Sequence, residues 1–262
     1  MGEYEYLRTS VSDGVGTILL HRPEKKNALA TFVCEEIGMC LDEWRRSDDV
    51  VAVVITGGEE FFSSGMDLAE YLELEPTQYY RLMSKYHRCY RTLADYPKPT
   101  IAAVAGPAFA GGCDLLAHCD IRVVAENAKI GMPQPKYGIH SHFSPLWHLV
   151  GLSRAKLMFF TGDHVDAAEA YRIGLADVLV PVGSVVEKAT HLAKRMAGLG
   201  LETQLRLKEI ALRSPDMNAL AACDYETAAY RDACADVNAR ERVAAGLARL
   251  REHRSLALSG QL

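Results

Sequence analysis

The stretch from Ile101 to Leu116 ends an apolar, β-branched run in a cluster of small residues, Gly106 to Gly112, before a second apolar segment begins. A buried strand that turns through glycines into a helix leaves the first backbone N–H groups of that helix without an internal partner. The helix dipole adds positive potential there, so such a turn can receive an anionic oxygen. Gly111 and Gly112 carry no side chain to hold a ligand away. With a second N–H facing the same point, the turn becomes an oxyanion hole, which stabilises charge developing on a carbonyl. Proton carriers are also in reach. The loop Tyr137-Gly-Ile-His140-Ser-His142-Phe143 offers two imidazoles, a group whose ordinary pKa of about 6.5 suits proton transfer at neutral pH. Ser64 and Ser141 sit in no Ser-His-Asp arrangement, which argues against a serine hydrolase.

Alternating strands and helices must position these groups. Tyr4 to Val11 and Val15 to Leu20 read as a hairpin around Asp13-Gly14, a strong turn signal. Leu29 to Arg46 reads as a helix, with apolar residues at Leu29, Phe32, Val33, Ile37, Leu41 and Trp44. A short buried strand follows at Val50 to Thr56, then a helix at Thr77 to Tyr96 closed by Pro97 and Pro99. The strand from Thr100, the glycine turn, the helix from Gly111 and a strand at Asp120 to Ala125 complete an α/β pattern with largely parallel pairing. Beyond Phe143 the chain reads as helical at Ser153 to Thr161, Asp166 to Arg172, Val185 to Leu199, Glu202 to Ser214 and Met217 to Arg254. One strand, Ala176 to Val182, interrupts that region. The division expected is a core over residues 1–200 and a helical C-terminal region over 201–262.

The 262 residues suffice for one large domain or a domain with a small appendage, and a net charge of −5 gives no support for nucleic-acid binding. No apolar run is long enough for a bilayer, and the acidic start Met1 to Tyr6 reads as no secretory signal, so a cytoplasmic, membrane-free protein is expected. Tyr6 at the sixth position argues against acylation after Met-Gly. The seven scattered cysteines read as free thiols, Cys113 among them as packing.

Four segments in order resemble the crotonase (enoyl-CoA hydratase/isomerase) superfamily over nearly the whole chain. They are His21 to Leu29, Phe62 to Leu68, Ala105 to Asp114 and Gly162 to Ala176. The resemblance implies a spiral of ββα units with a helical C-terminal trimerisation region, assembled as a homotrimer or a dimer of trimers. It implies an acyl-coenzyme A thioester as substrate, with coenzyme A entering as part of that substrate and no metal or separate cofactor. The thioester oxygen would lie between the N–H groups of Met66 and Gly111 while the α-carbon takes on enolate character.

By the same resemblance, the two carboxylates of a hydratase correspond here to Asp114 and Gln134. An amide neither accepts nor donates a proton near neutrality; it orients water or bonds to substrate. An aryl-CoA dehalogenase of the superfamily carries a nucleophilic aspartate at the position of His142 and a histidine at that of His87. The implied constellation is Asp114, His142 and His87, with Gln134 and His140 secondary. Lys25 and Lys26 would meet coenzyme phosphates, and Ser64, Met66, Asp67 and Leu68 would line the adenine and pantetheine path; Glu252-His-Arg254 only partly echoes a family tail. His118, His148, His164, His191 and His253 read as ordinary surface or core residues. Tyr86, Tyr137, Phe143 and Trp147 are aromatic candidates for an acyl pocket or for core. Double-bond isomerisation or an atypical hydration or hydrolysis is the expected activity. A C–C bond-cleaving relative acting on β-keto or aryl thioesters and a catalytically silent subunit are the alternatives.

Overall fold

A computed structural model describes residues 4–140, 142–234 and 239–258. Strands β1 (Leu7–Ser12) and β2 (Val15–Leu20) form the expected antiparallel hairpin. Asp13 and Gly14 both take left-handed φ, at 53° and 77°, the geometry whose twist suits a two-residue hairpin. Helix α1 (Thr31–Arg45) crosses to β3 (Ala52–Thr56), and α2 (Leu68–Leu72) and α3 (Tyr79–Ala94) lead to β4 (Thr100–Val104). The glycine turn follows, with β5 (Pro107–Phe109) and α4 (Gly111–Ala117), then β6 (Ile121–Ala125) and β7 (Lys129–Gly131). Helices α5 (Ser144–Val150) and α6 (Leu152–Thr161), strand β8 (His164–Asp166), helix α7 (Ala167–Arg172), strand β9 (Val178–Val180) and helix α8 (Val185–Ala197) come next.

The main sheet runs β1-β2-β3-β4-β6-β9 and is parallel after the hairpin; a second sheet runs β5-β7-β8. Strands β3 and β4 are buried along their whole length, as parallel strands covered on both faces must be. Their side chains alternate. Val53, Ile55, Ala102 and Val104 face the cluster that includes Ile37 and Leu41 of α1 and Leu93 of α3. Ala52, Val54, Ile101 and Ala103 face Val185, Ala189 and Ala193 of α8.

The chain divides into two compact units between Leu205 and Arg206. The second unit takes in the end of α9 (Leu201–Arg213), then α10 (Ala219–Cys234) and α11 (Ala239–Leu258). Asn218 caps α10 by accepting the Ala221 N–H at 3.0 Å. The single helix expected over Met217 to Arg254 is thus two helices, with residues 235–238 outside the described set. Strand β8 was not expected; it fills the gap between the helices expected at Ser153 to Thr161 and Asp166 to Arg172, and shares only Asp166 with the second. It and its partners β5 and β7 are three residues long, too short to show a period of two, and their pairing is set by tertiary contact.

Candidate active site

Two loops meet at the C-terminal end of the parallel strands. The first holds Met66. The Leu29 N–H donates to the Gly65 carbonyl at 2.7 Å and the Leu29 carbonyl accepts the Asp67 N–H at 2.8 Å. A parallel bridge of this kind uses the groups on either side of the central residue and leaves that residue's own N–H turned away. Gly65 takes φ +94°, and a β-carbon there would lie 2.5 Å from the Phe109 carbonyl and 3.0 Å from the Gly111 nitrogen. Only glycine lets the two loops approach so closely.

The second loop holds Gly111, the first residue of α4. Ala110 before it has φ 51° and ψ −119°, a backbone conformation that costs a non-glycine residue about 1–3 kcal/mol. Tertiary bonds hold it there: the Ala110 N–H donates to the Gly131 carbonyl of β7, and the Ala110 carbonyl accepts the Asp114 N–H, both at 3.0 Å. Among the described residues neither the Met66 nor the Gly111 N–H donates a backbone hydrogen bond. The two sites are close: a β-carbon on Gly111 would stand 3.4 Å from the Met66 nitrogen.

Both loops line a cavity of about 560 Å³, lined on the other sides by α3 and by Pro133, Gln134, Tyr137, Ile139, His140 and His142. Of the expected catalytic residues, Met66, Gly111, Asp114, Gln134, His87, His140 and His142 all line it. Asp114 is buried, and its Oδ1 lies 3.9 Å from His142 Nδ1. His142 Nε2 faces His87 Nε2 at 2.7 Å, so one of that pair carries the proton and the other accepts it. Burial, with the neighbouring imidazoles of His87, His118 and His140, holds the His142 pKa down to about 4. The expectation of a ring poised near neutrality therefore does not describe His142. It is neutral at pH 7 and lies between a buried carboxylate, 3.9 Å away, and the exposed His87, to which it is hydrogen-bonded. Gln134 is buried in the 3-10 turn Gln134–Tyr137, and among the described residues its Oε1 has no hydrogen-bond partner. His140 is exposed at the rim.

Of the expected coenzyme contacts, Ser64, Met66 and Leu68 line the cavity. Lys25 and Lys26 are exposed on a turn tied to its wall, since Ser64 donates to the Lys25 carbonyl through Oγ at 3.2 Å and to the Lys26 carbonyl through its N–H at 3.0 Å. Asp67 is engaged in the fold. It pairs with Arg22 at 3.0 Å and caps α2 by accepting the Ala69 N–H at 3.1 Å. Tyr86 and Tyr137 line the cavity, whereas Phe143 packs on Phe159 and Trp147 stacks on His148. Ser141 and the side chains of Glu252, His253 and Arg254 lie outside the described set.

Two neighbours were not singled out by the sequence. His118, expected to be ordinary, stacks on Tyr90 and presents its edge to His142. Its Nδ1 donates to the Asp114 carbonyl at 2.7 Å, which fixes the tautomer because a carbonyl only accepts. The four-residue spacing from Asp114 on one short helix was the available signal. Tyr90 is buried, and its hydroxyl donates to the Gly111 carbonyl at 3.2 Å.

A family model described as enoyl-CoA hydratase/isomerase matches residues 10–259 of this chain. The chain belongs to the enoyl-CoA hydratase/isomerase family. A short-chain-enoyl-CoA hydratase of Clostridium acetobutylicum is 32% identical over 82% of this chain and 81% of its own. A mitochondrial enoyl-CoA hydratase of Pongo abelii is 34% identical over 74% of this chain and 68% of its own. The crystal structure of an enoyl-CoA hydratase from Bacillus anthracis superposes with a TM-score of 0.90 at 27% identity, covering 94% of this chain and 97% of that one. The expected enoyl-CoA hydratase/isomerase architecture is thereby shown, as is an enzyme family that handles acyl-CoA. No helix among the described residues is long and apolar enough to cross a membrane.

Proposed function

We propose that this chain binds an acyl-coenzyme A thioester with its carbonyl oxygen between the Met66 and Gly111 N–H groups and moves a proton at the α-carbon. The carrying observation is the convergence of these two unengaged donors on one wall of a cavity that also holds Asp114. An enolate concentrates charge on one oxygen, and fixed dipoles stabilise it without having to reorganise. Asp114 is the group that takes the proton. The row from Asp114 through His142 to His87 gives a path from the buried carboxylate toward solvent. Gln134 orients water or the acyl chain, because its amide cannot exchange protons at neutral pH. One proton-exchanging acid beside an amide favours isomerisation, or an atypical hydration or hydrolysis, over two-acid hydration. The Lys25-Lys26 turn would receive the coenzyme phosphates. The resemblance supports a homotrimer or a dimer of trimers.

The test is incubation with a thioester library in deuterated buffer, with products identified by mass spectrometry. Deuterium at the α-carbon with the thioester retained supports isomerisation or hydration; free acid plus thiol supports hydrolysis. Asp114→Asn should cut turnover about 10²–10⁴-fold while thioester binding survives. No exchange and no product across the panel would leave the silent-subunit alternative standing.

A further inference from the structure

Helix α3 carries two buried tyrosines, Tyr86 and Tyr90, one helical turn apart and on one face. Each hydroxyl ends on the backbone segment that presents one of the two unengaged amides. The Tyr86 hydroxyl donates to the Leu29 carbonyl at 2.6 Å. Leu29 is the residue whose N–H and carbonyl grip Gly65 and Asp67 on either side of Met66. The Tyr90 hydroxyl donates to the carbonyl of Gly111 itself. Leu29 closes the frame from the other side, since its Cδ1 stands 3.5 Å from the place a Gly111 β-carbon would take. The lower end is tied too. Glu70 of α2 accepts the Thr31 N–H at 2.9 Å, and its Oε2 lies 3.4 Å from the Tyr86 hydroxyl. Both phenols are pushed well above their ordinary pKa, chiefly by burial, and so stay donors at any pH the fold tolerates.

We infer that Tyr86 and Tyr90 are positioning residues: two hydroxyls on one rigid helix face set the separation and aim of the Met66 and Gly111 N–H groups. The inference rests on the oxyanion reading above. It has a physical basis in the steep dependence of transition-state stabilisation on donor placement, where a shift of about 1 Å costs about 10²-fold. Two loops from distant parts of the chain have no covalent means of holding a common distance. A helix rises about 1.5 Å per residue and so gives a fixed spacing of about 6 Å between the two anchors.

The experiment uses Tyr86→Phe, Tyr90→Phe and the double variant, which keep the rings and remove only the hydroxyls. Tyr96→Phe serves as the control, because Tyr96 is buried in the core and its hydroxyl has no hydrogen-bond partner among the described residues. Difference infrared spectra are taken of bound acetyl-, but-2-enoyl- and phenylacetyl-CoA labelled with ¹³C at the carbonyl. Wild type and Tyr96→Phe should shift the carbonyl stretch to lower frequency. Each single variant should lose part of that shift and about tenfold in α-proton exchange rate, with thioester affinity within about twofold, since hydroxyl removal leaves the binding surface in place. Full retention of both shift and rate in Tyr90→Phe and Tyr86→Phe overturns the positioning role alone. Absence of any shift in wild type with every probe overturns the oxyanion reading and the positioning role with it. Should Tyr86→Phe fail to fold, Tyr90→Phe decides by the same two readouts.

Discussion

Replacing Gly111 by alanine tests the site at its narrowest point. The new methyl would sit 3.4 Å from the Met66 nitrogen and 2.8 Å from the Tyr90 hydroxyl oxygen. A thioester oxygen accepting from both amides needs about 2.7–3.1 Å to each, so a methyl in van der Waals contact with one of those nitrogens competes for the same space. Loss of a single donor of this type costs about 10²–10³-fold in kcat, which is about 2.7–4 kcal/mol of transition-state stabilisation. Stability should suffer less. Gly111 begins α4 without a left-handed φ, so alanine is compatible with its backbone and gains some helix propensity. Against that stands the contact with Tyr90, whose hydroxyl must give way; overpacking of this kind costs about 1–3 kcal/mol. For a unit of this size that lowers the Tm by about 2–12 °C. The expected result is a folded protein with turnover down at least 100-fold. The assay is α-proton exchange on the best substrate from the thioester library, with a thermal melt on the same sample. Turnover within twofold of wild type in a folded Gly111→Ala protein would refute the claim that these amides hold the reacting oxygen.

Other outcomes follow from the same geometry. Gln134→Glu puts a second carboxyl on the cavity that Asp114 lines and should confer or raise hydration of but-2-enoyl-CoA, read as 3-hydroxyacyl product; unchanged hydration would mean that position does not face the reacting carbon. His142 binds a proton in the unfolded chain below about pH 6.5 that the folded chain refuses until about pH 4. Its contribution is complete above pH 6.5 and is lost as the pH falls through that window, on the order of 1–3 kcal/mol. Urea melts at pH 7 and pH 5 should show the loss, and His142→Asn should flatten it. Asp67→Ala leaves the Arg22 guanidinium, about 10% exposed, without its carboxylate, and should cost about 3 kcal/mol in a denaturant melt. A change under 0.5 kcal/mol would mark that pair as dispensable.

Much of the frame was legible in residue order. Apolar periodicity placed α1, α3 and α8, and Asp13-Gly14 placed the hairpin, because these signals are local and long enough to repeat. The glycine turn stood out in the sequence because few other residues tolerate such close approach. The short strands β5, β7 and β8 left no such trace. The role of Asp67 was also hidden: its partner Arg22 is 45 positions away, and nothing local distinguishes a carboxylate that meets ligand from one that meets a guanidinium.

The sequence alone determined which groups were available: a glycine turn, Asp114 and Gln134, and a loop with two histidines. Tertiary structure decided what they are. It set Leu29 astride Met66, brought His87 of α3 within 2.7 Å of His142, and buried His142 deeply enough to keep it neutral. Those outcomes depend on distance and solvent exclusion between segments far apart in the chain, and neither quantity exists until the sheet has brought the segments together.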